Sequence, residues 1–111
     1  MELGPVDSRE YVRRLLEAYR ATPGTVGVVR RTDRLLAQQL HERGVPLEAV
    51  ENALVLAAAR RIIRSAEAPP LGTVRSLAYF LPVIEEVRQS KVSQEYFQYL
   101  RHRLHRITSA R

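Results

Sequence analysis

The segment Ala53–Ala59, "ALVLAAA", is apolar at every position and is followed at once by Arg60-Arg61. A helix that is apolar all round has no face to give to water and needs neighbours on more than one flank. It is too short to span a bilayer, which takes about 20 apolar residues. The segment therefore predicts a central helix from Pro46 to Arg64, wrapped by other helices, with its alanines letting those helices approach closely. Pro46 suits a first helical position. Glu48 and Glu51 lie where the helix dipole favours anions, and Arg60, Arg61 and Arg64 where it favours cations.

The flanking sequence supplies the wrapping. In "DSREYVRRLLEAYRA", Asp7 is a capping residue with Glu10 as the reciprocal partner of a capping box. Tyr11, Val12, Leu15, Leu16 and Tyr19 then recur at helical spacing, with Arg9, Arg13 and Arg20 off that stripe. Pro23-Gly24 is a turn. A second helix is expected from about Arg30 to Arg43, stopped by Gly44. Beyond the loop "SAEAPPLG", Thr73 is expected to cap a fourth helix, "VRSLAYFLPVIEEVRQS". Pro82 must kink or divide it, because proline cannot donate to the carbonyl of Ala78. After a break at "SKVS", Ser93 caps a last helix carrying Tyr96, Phe97, Leu100, Leu104 and Ile107 in one narrow stripe. Nowhere does the chain alternate as a strand would. The expected fold is all-α: a compact single-domain bundle of about five helices over residues 1–111, with 1–6 and 108–111 frayed.

Several functions are disfavoured. The chain has no cysteine, so disulfides, thiolate metal sites and thiol nucleophiles are ruled out together. Its N-terminus, "MELGPVDSRE", lacks a signal-peptide core, and a cytoplasmic location is expected. It holds no G-x-S-x-G, no H-E-x-x-H and no phosphate-cradling glycine loop; "TPGTVG" lacks the lysine. Asp7 and Asp33 sit where caps belong, and the adjacent Glu85 and Glu86 point to different sides of a helix. No enzyme activity, cofactor or small-molecule substrate is expected. His102 and His105 are three apart, but Arg101, Arg103 and Arg106 would repel a cation, so no metal is expected.

The formal charge is +6, with Lys91 the only lysine. A GC-rich genome would account for arginine over lysine but not for the excess of positive charge, which favours a polyanionic partner. Two elements compete to meet one. "ERGVPLEAV" has the spacing of a helix-turn-helix, with Gly44, Val45 and Val50 in place. Leu40, however, stands where a small residue normally sits, and the second helix offers Glu48, Glu51 and Asn52 before turning apolar. A helix that reads base edges needs an exposed polar face, so this stretch is expected to be a packing corner. On the last helix, projection at about 100° per residue gathers Tyr99, His102, Arg103 and Arg106 on one flank. Arg101 and His105 fall on the other side, and no acid follows Glu95. Guanidinium groups beside a tyrosine suit phosphate contact and base stacking.

The series "DRLLAQQLHERGVPLEAVENALVLAAARR", "VRSLAYFLPVIEEV" and "YFQYLRHRLHRI" resembles an uncharacterised family of small, arginine-rich bacterial helical proteins associated with mobile elements. The likeness runs from Tyr11 to Ile107 and carries no catalytic signature. It implies a helical accessory protein whose partner is DNA or a DNA-bound protein. The sequence thus points to a non-enzymatic accessory protein that contacts nucleic acid through its basic C-terminal helix. The alternative is a self-associating protein-interaction module without such contact.

Overall fold

In the computed structural model, which describes residues 7–63, 67–90 and 93–109 (of 108 and 109 the backbone alone), the chain forms five α-helices. They are α1 Ser8–Ala21, α2 Arg31–Glu42, α3 Leu47–Ile62, α4 Leu81–Gln89 and α5 Gln94–Ser109, with a 3-10 turn, Leu77–Phe80, leading into α4. The element at the centre is α3, which packs against α1, α4 and α5. It buries Val50, Ala53, Leu54, Ala57, Ala58 and Ala59, as its composition requires. Arg64 and residues 91–92, inside the expected central helix and the expected break, lie outside the described residues, as do 1–6 and 110–111. No helix among the described residues is long and apolar enough to cross a membrane.

The corner between α2 and α3 closes as a Schellman turn. Gly44 adopts φ +77°, a left-handed conformation that a side chain would strain. Its N–H donates to the His41 carbonyl at 3.0 Å, and the Val45 N–H reaches back to Leu40 at 3.1 Å. Leu40 and Val45 are both buried, which is the apolar contact that accompanies such a turn. From α1, the Tyr11 hydroxyl donates to the Val45 carbonyl at 2.7 Å and pins the corner.

Three local expectations are corrected. At α1, the Asp7 carboxylate accepts the Glu10 N–H at 2.9 Å, but Glu10 does not return to complete the box. Its carboxylate is held instead by Arg13, at 2.6 Å and 3.0 Å, which keeps it below the usual carboxylate range. Thr73 caps nothing: the chain stays extended there, and Val74 exchanges backbone hydrogen bonds with Gly24 and Val26 at 2.7 and 3.0 Å. Helical structure starts only at Leu77, whose N–H is capped at 2.9 Å by the buried carboxylate of Asp33. Asp33 is therefore more than a local cap, since its other oxygen accepts the Arg30 N–H at 2.9 Å at the start of α2. The chain divides just before Pro82, which lies in the first turn of α4, where backbone N–H groups have no helical acceptor to lose. Glu85 and Glu86 do diverge, Glu85 to Arg43 at 3.3 Å and Glu86 to Arg60 on α3.

Two buried tyrosines make a test of this core. The Tyr11 hydroxyl has a partner, whereas the Tyr19 hydroxyl has none among the described residues. Tyr11→Phe is expected to cost about 0.5–1.5 kcal/mol, and Tyr19→Phe to be neutral or stabilising, in thermal melts at pH 7. Burial pushes the Tyr11 phenol up from 10.0 to about 12. The folded state thus keeps a proton that the unfolded chain releases first. The stability this provides is intact below pH 10 and is lost as the pH climbs towards 12. The alkaline loss should shrink in Tyr11→Phe.

Candidate nucleic-acid interface

Helix α5 begins at Ser93, whose hydroxyl accepts the Tyr96 N–H at 3.3 Å. Phe97, Leu100 and Leu104 recur at helical spacing and are buried. Asn52 of α3 donates its amide to the Gln94 side chain at 3.0 Å, fixing the first turn of α5 to the centre of the bundle. The buried Phe97, Leu100 and Leu104 stripe sets the rotation of α5 about its axis, and with it the face that meets water.

Tyr99, His102, Arg103 and Arg106 are all exposed. Arg103 donates from Nη1 to the Tyr99 hydroxyl at 3.3 Å, so a guanidinium and a phenol ring lie side by side. Among the described residues no carboxylate lies within 4.0 Å of Arg103, Arg106 or Arg101. Several other arginines are engaged, although Arg9, Arg20 and Arg34 also have no carboxylate partner among the described residues. Arg13 is held by Glu10 and Glu17, Arg43 by Glu85, and Arg60 by Glu86. Arg61 lies 5.6 Å from the centre of the Tyr79 ring and donates to its hydroxyl at 3.1 Å. Such an engaged cation has less to offer a phosphate than one with no counter-charge.

On the opposite flank of α5, Arg101 and His105 border a groove of about 350 Å³ with Ala18, Thr22, Leu54 and Leu104. A second positive surface, which the sequence reading left unassigned, lies between α1 and α2. There Arg9, Arg13, Arg20 and Arg34 line a groove of about 690 Å³ together with Glu17. It has no aromatic lining, and one of its four arginines is already bound by two carboxylates. No cluster of three metal-ligating side chains forms among the described residues.

Sequence reading also missed Tyr96, assigned to the apolar stripe. It is 46% exposed, against 54% for Tyr99, and the two rings stand 6.4 Å apart with planes inclined by 31°. The signal was in the projection: Tyr96 falls at the edge of the stripe, on the side of Tyr99 and Arg103. The two tyrosines and Arg103 therefore form one surface. Beside it, a cleft of about 580 Å³ opens between α3, α4 and α5, lined by Leu56, Ile63, Val87, Tyr96 and Phe97 among others.

The α2–α3 corner offers no comparable surface. Asn52, the one neutral polar side chain in the first turns of α3, is 4% exposed and engaged with Gln94. Glu51 lies 3.9 Å from Arg14 of α1, and Glu48 is exposed. Asn52→Ala is accordingly expected to cost about 1 kcal/mol of stability by losing the Gln94 bond. It should leave oligonucleotide affinity and sequence preference unchanged in binding titrations; loss of preference for a defined site would restore the helix-turn-helix reading.

The chain matches no protein-family model, no curated protein and no solved structure.

Proposed function

We propose that this protein is a non-enzymatic accessory protein that holds nucleic acid on the Tyr99, His102, Arg103 and Arg106 flank of α5. The observation that carries the reading is the pair of exposed arginines, Arg103 and Arg106, with no carboxylate partner among the described residues, and the exposed Tyr99 beside Arg103. The excess of +6 over the whole chain adds a favourable long-range field. Phosphate contact by Arg103 and Arg106 positions the strand, and Tyr99 offers a ring to a base. The resemblance to small arginine-rich mobile-element proteins supplies the setting: a helper of DNA transactions in a bacterial cytoplasm.

The test is fluorescence anisotropy with labelled oligonucleotides across a salt series. Binding at low salt that weakens steeply as salt rises is expected, because each phosphate contact releases condensed counterions. Absence of binding in every arm contradicts the reading. One observation favours the second reading, self-association without nucleic-acid contact: Ile63 at 53% and Tyr96 at 46% exposure border the largely apolar cleft between α3, α4 and α5.

A further inference from the structure

Folding alone does not account for two tyrosine rings held half in water on the same side of one helix. Tyr96 packs edge-on against Phe97, with ring centres 6.1 Å apart, and so has a fixed base. Tyr99 is braced by the Arg103 guanidinium at 3.3 Å. Both residues are about half exposed, and their ring planes differ by only 31°. Such rings accept flat, weakly hydrated partners, and the cations beyond them accept phosphates.

The spacing selects among nucleic acids. Bases in a duplex are stacked at about 3.4 Å, so their faces are covered and cannot meet a tyrosine ring, although their edges and the phosphates remain open. The tyrosine ring centres are 6.4 Å apart, close to twice that rise. Two neighbouring bases can meet both rings only when the strand is unpaired and drawn out.

We infer that α5 binds an unpaired nucleic-acid strand, with successive bases stacked on Tyr96 and Tyr99 and the adjoining phosphates on Arg103 and Arg106. This rests on the nucleic-acid reading of the same flank and adds the strand state and the two-ring platform. Aromatic rings and guanidinium groups do not by themselves separate ribose from deoxyribose, so both chemistries belong in the test.

The experiment compares labelled single-stranded DNA, single-stranded RNA, the matching duplex and a single strand with abasic sites, each across a salt series. Single strands of either sugar should bind more tightly than the duplex, and the abasic strand should fall towards the duplex. Tyr96→Ala and Tyr99→Ala should each weaken single-strand binding by about 5- to 150-fold while leaving duplex binding unchanged. Tyr96→Phe and Tyr99→Phe keep the ring and should retain binding. Tyr99 lies outside the buried stripe, so its alanine variant keeps the fold, which circular dichroism verifies. Equal binding of all four oligonucleotides with one salt slope, insensitive to Tyr99→Ala, overturns the platform and leaves the basic flank standing. No binding in any arm overturns both. The same holds if Tyr99→Ala instead converts a dimer to a monomer in sedimentation while wild type binds no oligonucleotide.

Discussion

Leu54→Ala is expected to lower the stability of the protein by about 2–5 kcal/mol, with a fall in Tm of roughly 10 °C or more. Leu54 is 2% exposed and lies on the one helix that touches α1, α4 and α5. Truncating it removes apolar volume from the core cluster, on the side of α3 that faces α1 and α5. Its neighbours on α3 include Ala53, Ala57 and Ala58, whose side chains are too short to move into the space. The cavity term then adds to the lost transfer energy. Leu35→Ala makes the same chemical change at a residue 46% exposed on α2 and should cost less than about 1 kcal/mol. Equal melting points for the two variants would mean that Leu54 is not at the centre of the core.

The second large effect concerns function. The double variant Arg103→Glu with Arg106→Glu replaces two exposed cations, neither in an ion pair with a described carboxylate, by two anions. It removes the phosphate contacts and adds repulsion, so oligonucleotide binding at low salt should fall by on the order of 100-fold or more. The fold should persist, because neither residue belongs to the buried Phe97, Leu100 and Leu104 stripe. Arg103 gives up one hydrogen bond, to the exposed Tyr99, whose hydroxyl water can satisfy. An unchanged circular dichroism spectrum with lost binding is the expected pair of results. Retained binding would move the contact elsewhere, and the α1–α2 groove with Arg9, Arg20 and Arg34 would be the surface to examine.

The architecture was legible because its main signals are local. All-round apolar character placed α3 at the centre, periodicity fixed the buried faces of α1 and α5, and Gly44 marked the α2–α3 corner. The failure at Thr73 has one cause, which is long-range pairing of backbone groups. Thr73 precedes an apolar run at helical spacing, as an N-cap would. But Gly24 and Val26 take the backbone of Val74, and Asp33, 44 positions before Leu77 in the chain, takes the N–H where the 3-10 turn begins. No local pattern announces such partners. Glu10 fails for a local reason instead: Arg13, three residues on, outcompetes the cap for its carboxylate.

The candidate site was legible in part for the same reason. Tyr99, His102, Arg103 and Arg106 share a flank by helical geometry alone, and the structure leaves all four exposed. Whether an arginine has a carboxylate partner depends on neighbouring helices, so the contrast between Arg60, paired with Glu86 of α4, and Arg103, unpaired among the described residues, needed the fold. Tyr96 needed it too. An aromatic residue at the edge of a stripe can turn inward or outward, and the packing of Phe97 and Leu100 beside it decides which.

The slope of log affinity against log salt concentration tests the central claim most directly, measured for wild type, Arg103→Ala, Arg106→Ala and Arg43→Ala. Each lost phosphate contact should flatten that slope by about 0.9 on duplex and about 0.7 on single strands. The account predicts this flattening for Arg103→Ala and for Arg106→Ala, and a wild-type slope for Arg43→Ala, whose cation faces Glu85 at the α2–α3 corner. Equal slopes for all three variants would show a diffuse attraction to a basic protein rather than a site on α5. No salt-dependent binding by wild type would contradict the nucleic-acid reading altogether.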